Sequence, residues 1–493
     1  MTLRARLAPF VVVSSMLLAV SGCGGSEDGT ARPTPSRTDA PTSSSPAAAE
    51  PVARDLDAAL SEPVEDSVYP EVGDPGVDAL HYDLDLAWDP AADTLSGTET
   101  LVFRATTTAP TFRLDLGEPL EITALTLDGA DTAYDRPGKD LVVTAPVEAD
   151  QRSELVIAYT GTPEPVAAPT TREDLSTVGF TIDDQHQVWT MQEPYGAYTW
   201  YAVNDQPSDK ALYDVTLSVP SPWTGISGGT RLSTEDDGTT TTTSYQLTEP
   251  AASYLVTVAF GDYTRTDDVG PHGLPITYWT PRGDGRLVTA LSTAPAALTW
   301  LEQYLGPYPF DTAGIVTVDS ESGMETQTMI TLGDTEYATG PATILHELAH
   351  QWYGDRVTPA DWRDVWMSEG MAMYLQLMWE AEQDRTDISS YLRRYRGAEQ
   401  DQRATAGPPG AYEPGEFGSF NIYIGPAFMW NELRTMLGDD EFFAIVRGWP
   451  ESQDNRSTDR DTFLAYVEQQ SGRDLEDFWN AWLLDPESPP LGG

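Results

Sequence analysis

Residues 343–354 read Thr-Ile-Leu-His-Glu-Leu-Ala-His-Gln-Trp-Tyr-Gly. Their apolar spacing predicts a helix over 341–354, and on a helix residues four apart share one face. His346 and His350 therefore project together, with Glu347 bordering the same face. Two imidazoles at that separation suit a zinc ion at about 2.0–2.1 Å. The chain has only 5 histidines, so two of them flanking a glutamate at this spacing form a specific signal.

The stretch beyond the helix supplies a third ligand. Eighteen residues separate His350 from Glu369, which stands in Trp-Met-Ser-Glu-Gly-Met-Ala-Met-Tyr at the start of a helical pattern over 367–383. A turn after Gly354 lets the second helix pack beside the first and aim its carboxylate at the same ion. Two His and one Glu leave a coordination position open for water, as hydrolytic zinc sites require. One Zn²⁺ per chain is expected, and Glu347 stays unliganded, free to take the water's proton.

Helical patterns continue around this pair, at 287–305, 387–403, 426–437 and 459–470. A short buried strand is predicted at 313–318 and a Gly/Pro-rich loop at 404–418. Upstream the period changes to two. Tyr82, Leu84, Leu86 and Trp88 alternate with polar neighbours, as do segments 98–104, 153–159, 213–219 and 254–260. The fold class is therefore multidomain α+β. An all-β domain over 66–262 precedes a mainly α-helical domain over 263–493.

The N-terminus reads as a signal. Arg4 and Arg6 precede an apolar stretch, Ala8 to Val20, that is short for a bilayer span. Val20-Ser21-Gly22-Cys23 resembles a bacterial lipobox, so 1–23 is expected to be a lipoprotein signal with Cys23 the lipidated residue. Residues 24–65, rich in Ser, Thr, Pro and Ala, read as a disordered tether. The expected location is extracytoplasmic, lipid-anchored to the bacterial cell membrane. With 1 cysteine the domains have no internal disulfide. The net charge of −50 argues against nucleic acid as a partner.

His-Glu-Leu-Ala-His, the interval to Glu369, and the surrounding Gln-Trp-Tyr-Gly-Asp and Asp-Val-Trp-Met-Ser-Glu-Gly-Met-Ala resemble the M1 family of zinc aminopeptidases over roughly 78–484. The resemblance implies a saddle-like β-sandwich followed by a thermolysin-like catalytic domain, acting on peptides. It also implies roles for further residues. Gly323-Met324-Glu325-Thr326 is similar to the family's exopeptidase loop, which makes Glu325 a binder of the substrate's free α-amine, with Gly323 and Met324 lining its site. Glu193, in Met191-Gln192-Glu193-Pro194, matches the second amine binder, although Met191 and Thr326 depart from the family pattern. Tyr423 matches the hydroxyl that stabilises the oxyanion, although Gly425 and Pro426 depart from what usually follows it. The chain stops soon after Phe478-Trp479-Asn480-Ala481-Trp482, so this is expected to be a short form without the family's helical C-terminal domain.

Two other activities use the same residues. A zinc endopeptidase with an open cleft would share the metal chemistry but not the two amine-binding glutamates. A catalytically inactive binding scaffold would be expected to lose a ligand or the base.

If Cys23 carries lipid, the protein from its producing cell partitions into the detergent phase, and Cys23→Ala releases it or blocks processing. Stable retention takes more than one acyl chain. Wild-type protein found wholly in the medium, with no lipid on its N-terminus by mass spectrometry, would contradict the anchor.

Overall fold

The computed structural model describes residues 52–453 and 455–491. Cys23, the signal and most of the tether lie outside the described residues. From Val52 onward the chain is fastened down. The backbone N–H of Val52 donates to Gln246 Oε1 at 2.6 Å, and Arg54 Nε donates to Asp214 Oδ2 at 3.1 Å. Leu56 and Ala59 pack on Leu80 and Leu212. The expectation of a tether reaching residue 65 is thus corrected. Within this otherwise polar stretch Arg54, Leu56 and Ala59 find partners on the β-domain.

Among the described residues three sheets form that domain, the smallest ordered 112–115, 140–144, 133–135. The largest runs in the order 230–236, 240–252, 210–220, 77–89, 94–105, 152–161, 121–127, 130–131. Its inner face alternates cleanly: along Val77–Asp89 the side chains of Tyr82, Leu84, Leu86 and Trp88 are buried and those between them are more exposed. That strand pairs in parallel with Lys210–Pro220, Leu84 opposite Val215, and the Tyr82 and Tyr213 rings stack at 5.1 Å. The second sheet, ordered 224–227, 258–261, 188–191, 177–182, 166–167, covers the first. Leu84, Leu86, Phe180, Val188 and Phe260 share one core, with Trp88 edge-on to Phe180 at 5.6 Å. Segment 254–260 departs from the expected strand. Ser253–Leu255 is a 3₁₀ turn, and the strand is Val258–Gly261.

The second part begins with a mixed sheet ordered 263–269, 275–281, 313–318, 330–333, 323–324. Helices follow or are interleaved: α1 (Gly285–Leu291), α2 (Ala294–Leu305), α3 (Pro341–His350), α4 (Trp366–Gln383), α5 (Ile388–Leu392), α6 (Arg396–Ala406), α7 (Phe420–Leu437), α8 (Asp439–Gln453) and α9 (Arg460–Ser471). The patterns at 287–305 and 387–403 each break into shorter pieces, the first between Leu291 and Ala294. The helix predicted over 341–354 stops at His350, because Gly354 adopts φ +135° and turns the chain. The helix expected from Pro426 starts six residues earlier, at Phe420, with Pro426 inside it. Residues 439–453, outside the predicted helices, form α8, whose interior Pro450 obscures its pattern.

The two parts share a buried apolar cluster, in which Trp189, Met191 and Ile226 join Val316, Met324 and Trp362, and polar contacts flank it. Asp66 accepts from Trp362 N at 2.7 Å, and Ser67 Oγ donates to Asp361 Oδ1 at 2.9 Å. Lys210, only 2% exposed, donates to the carbonyl of Asp355 at 2.6 Å, just beyond α3. A second buried device closes the C-terminal end. Arg403 bonds Glu399 at 2.7 Å and the carbonyls of Trp482 and Asp485 at 2.9 Å each.

Arg403→Ala should leave the buried Glu399 carboxylate with only Arg396, at 3.3 Å, and the Ser488 hydroxyl as partners, and cost about 1–3 kcal/mol. The double change Glu399→Leu with Arg403→Met, which removes both charges, should recover much of that. Melting curves of the three proteins check this, and equal midpoints for wild type and Arg403→Ala would contradict it.

Candidate active site and metal centre

Helix α3 carries three of the predicted residues on one buried face. Pro341 starts it at the first helical position, where its missing N–H costs nothing. His346 and Glu347 are 7% exposed and His350 1%. Glu369 stands in the first turn of α4, where the helix dipole favours a carboxylate.

The ligand atoms converge. His346 Nε2 and His350 Nε2 are 3.1 Å apart, and each lies 3.2 Å from Glu369 Oε2. A tetrahedral zinc with bonds of about 2.0–2.1 Å needs ligand atoms about 3.3–3.4 Å apart. The triangle is within a few tenths of an ångström of that. His350 Nδ1 bonds the carbonyl of Tyr353 at 3.0 Å, which puts the proton on Nδ1 and leaves the Nε2 lone pair facing the triangle. The donor set therefore fits zinc. Among the described residues no other group of three His, Cys, Asp or Glu side chains is so placed.

Two glycines explain how the rest of the site comes close. A Cβ on Gly323 would lie 2.9 Å from Glu347 Oε1 and 2.8 Å from Leu332, so only glycine lets the 323–324 edge strand run against the base. A Cβ on Gly370 would lie 2.2 Å from Pro426 Cβ. This closeness lets α7 settle on α4 beside Glu369. Tyr423, three residues before Pro426 and on the same face, then donates its hydroxyl proton to Glu369 Oε1 at 2.9 Å.

Glu193 and Glu325 line the same cleft, about 640 Å³ in volume, together with Met324, Glu347 and Tyr423. Glu193 is set by its neighbours. Gln192 Nε2 donates to the carbonyls of Ser253 and Val256 at 2.9 and 2.7 Å, and Asp205 accepts from Gly196 N at 2.9 Å. At the two departures from the family pattern, the Thr326 hydroxyl donates to the Met329 carbonyl and Met191 lies at the cleft wall. The structure thus brings together His346, Glu347, His350, Glu369, Glu193, Gly323, Met324, Glu325 and Tyr423.

The cleft's electrostatics are those of an anion-rich site. Burial, reinforced by Glu325 and Glu369 against the pull of His350, pushes Glu347 up to about 8. Burial also raises Glu325, and burial with the charge of Glu325 raises Glu193 well above the usual carboxylate range. For Glu369 burial works upward, but His350 and bonds from both imidazoles hold it well below that range. Among the described residues Arg172 is the only lysine or arginine lining the cleft. It lies in a Thr/Pro-rich stretch of the β-domain and belongs to no motif, so only the fold brings it here.

His350→Ala and Glu369→Ala should each reduce zinc from about one per chain to a small fraction, because two ligands hold the ion poorly. Glu347→Gln should keep it. Metal analysis of dialysed proteins checks this, and full zinc in the His350 variant would overturn the assignment.

Comparison with known proteins agrees with this geometry. The family model described as Peptidase family M1 domain matches residues 289–482, and that of the Peptidase M1 N-terminal domain matches 78–255. The chain is 24% identical over 448 residues to aminopeptidase N of Streptomyces lividans, covering 83% of this chain and 50% of that protein. It is 25% identical to probable aminopeptidase 1 of Sulfurisphaera tokodaii, covering 52% of this chain and 33% of the relative. The chain thus spans half or less of these curated relatives. A solved M1 zinc metallopeptidase from Deinococcus radiodurans superposes with a TM-score of 0.77 at 26% identity, covering 87% of this chain and 98% of that one. A mutant of the Deinococcus protein bound to a Tyr-Ser-Ala substrate gives 0.76 at 25% identity, covering 87% and 99%. With both family domains matched in order and the metal triangle formed, this chain belongs to peptidase family M1.

Proposed function

We propose that the chain is a zinc-dependent aminopeptidase that removes N-terminal residues from peptides. The observation that carries this reading is the placement of Glu193 and Glu325 in the same cleft as a metal triangle with edges of 3.1–3.2 Å. A zinc ion held by His346, His350 and Glu369 supplies Lewis-acid polarisation of the scissile carbonyl and a water of lowered pKa.

The side chains do the rest. Glu347 takes the water's proton and delivers it to the leaving amine. Tyr423 offers its hydroxyl proton to the oxyanion of the tetrahedral intermediate. Glu325 and Glu193 hold the α-ammonium by charge-assisted hydrogen bonds and fix the distance from chain terminus to scissile bond. Such a pair also discriminates against blocked peptides, which leave both carboxylates without a cation. The products are a free amino acid and a shortened peptide. The residues around Cys23 support a further proposal, that the mature enzyme works tethered to the outside of the membrane.

Acetylating the N-terminus of a peptide should lower kcat/KM at least about a hundredfold, equivalent to about 2.7 kcal/mol. Glu325→Ala should lose most of that discrimination, chiefly by weakening turnover of the free peptide. Glu347→Gln should lower kcat on the order of 10²–10⁴-fold while free-peptide binding persists. Matched free and acetylated peptides assayed on the three proteins check this. Equal wild-type rates on both peptides would leave hydrolysis standing and overturn the exopeptidase reading.

A further inference from the structure

We propose that Arg172, contributed by the β-domain, is a positioning residue that aims the hydroxyl proton of Tyr423 into the cleft; the proposal rests on the oxyanion role given to Tyr423 above. Arg172 Nη1 donates to Tyr423 Oη at 3.3 Å and to the Gly418 carbonyl at 3.4 Å. Its Nε and Nη2 are taken by Asp174, at 3.1 and 2.6 Å. The guanidinium is thus held in a fork and is not a free charge waiting for a ligand.

A guanidinium has donors and no acceptor. Toward Arg172, therefore, the phenol oxygen can only accept. Its single proton must point elsewhere, and in the structure it goes to Glu369 Oε1 at 2.9 Å. An oxyanion arriving in the cleft competes with Glu369 for that same proton. The contact from Arg172 survives the exchange, fixes the hydroxyl rotor, and places a positive charge behind the donor, which strengthens it.

The surroundings are built to keep Arg172 there. Phe417 N donates to the Pro169 carbonyl at 3.0 Å, and Thr171 Oγ1 donates to Glu416 Oε2 at 2.7 Å, so the arginine's own loop is fastened to residues 416–418. Gly418 has φ +68°, and a Cβ there would lie 3.1 Å from Arg172 Nη1, so this glycine provides both the turn and the room. In a chain with 28 Lys and Arg against 78 Asp and Glu, the one lysine or arginine that lines the cleft among the described residues touches the tyrosine.

A double-mutant cycle on the zinc-loaded enzyme tests this, using a free-amine peptide. Arg172→Met should lower kcat about tenfold or more, with KM changed less than about threefold. In a Tyr423→Phe background the same change should alter kcat less than about twofold, because there is no hydroxyl left to aim. Arg172→Lys, which keeps the charge without the fork, should fall between, and melting curves show which variants remain folded. If Arg172→Met is unstable, Arg172→Lys carries the cycle. An equal loss of kcat in both backgrounds, or a change confined to KM, would overturn the proposal while leaving the aminopeptidase reading intact. Full activity of Tyr423→Phe alone would instead remove the oxyanion role, and this inference with it.

Discussion

Negative charge is the constraint on which the site depends. Glu325, Glu347 and Glu369 are buried within one cleft, Glu193 joins them, and the only lysine or arginine lining it among the described residues is already forked onto Asp174. Carboxylates packed this way destabilise one another and lose hydration. A divalent ion in the His346–His350–Glu369 triangle would offset one part of this charge, and in the proposed function an α-ammonium between Glu193 and Glu325 would offset another. On that proposal substrate selection and metal binding are two expressions of one electrostatic arrangement.

Close backbone approach converts that charge pattern into geometry. Gly323 lets an edge strand run against Glu347, and Gly370 lets α7 settle on α4, so that Tyr423 reaches Glu369. Neither glycine performs chemistry. Each removes a side chain that would hold two functional groups apart, and packed interiors do not absorb such displacements cheaply. The β-domain is part of the same construction. It contributes Glu193 on the loop fixed by Gln192 and Asp205, and it contributes Arg172 to the tyrosine. The part after residue 262 alone would lack Glu193 and the Arg172 contact to Tyr423.

What could be read from the sequence follows the range of the interactions. His346, Glu347 and His350 were legible because one helical turn relates them, and Glu369 because it opens the next strongly patterned helix. Strands such as Val77–Asp89 announced themselves by alternation over one buried face. Glu193, Glu325 and Tyr423 came from family resemblance, since no local rule joins residues so far apart. Arg172 escaped both routes, because its role arises only where two loops from different domains meet. Prolines misled the boundaries of α7 and hid α8. Pro426 looked like a helix start, whereas packing on Gly370 holds it inside the helix and overrides the local preference. The segment from Val52 shows the converse: a few anchoring residues suffice to order a stretch whose average composition reads as mobile.

The central claim is that the cleft pairs a dication with a peptide's α-ammonium. A crystal structure of zinc-loaded Glu347→Gln protein with an unblocked tripeptide tests it most directly, with zinc located from its anomalous signal. The expected result is zinc within the His346–His350–Glu369 triangle and the peptide's amino group hydrogen-bonded to both Glu325 and Glu193. A peptide lying with an internal residue beside those two carboxylates and its N-terminus in solvent would contradict the account.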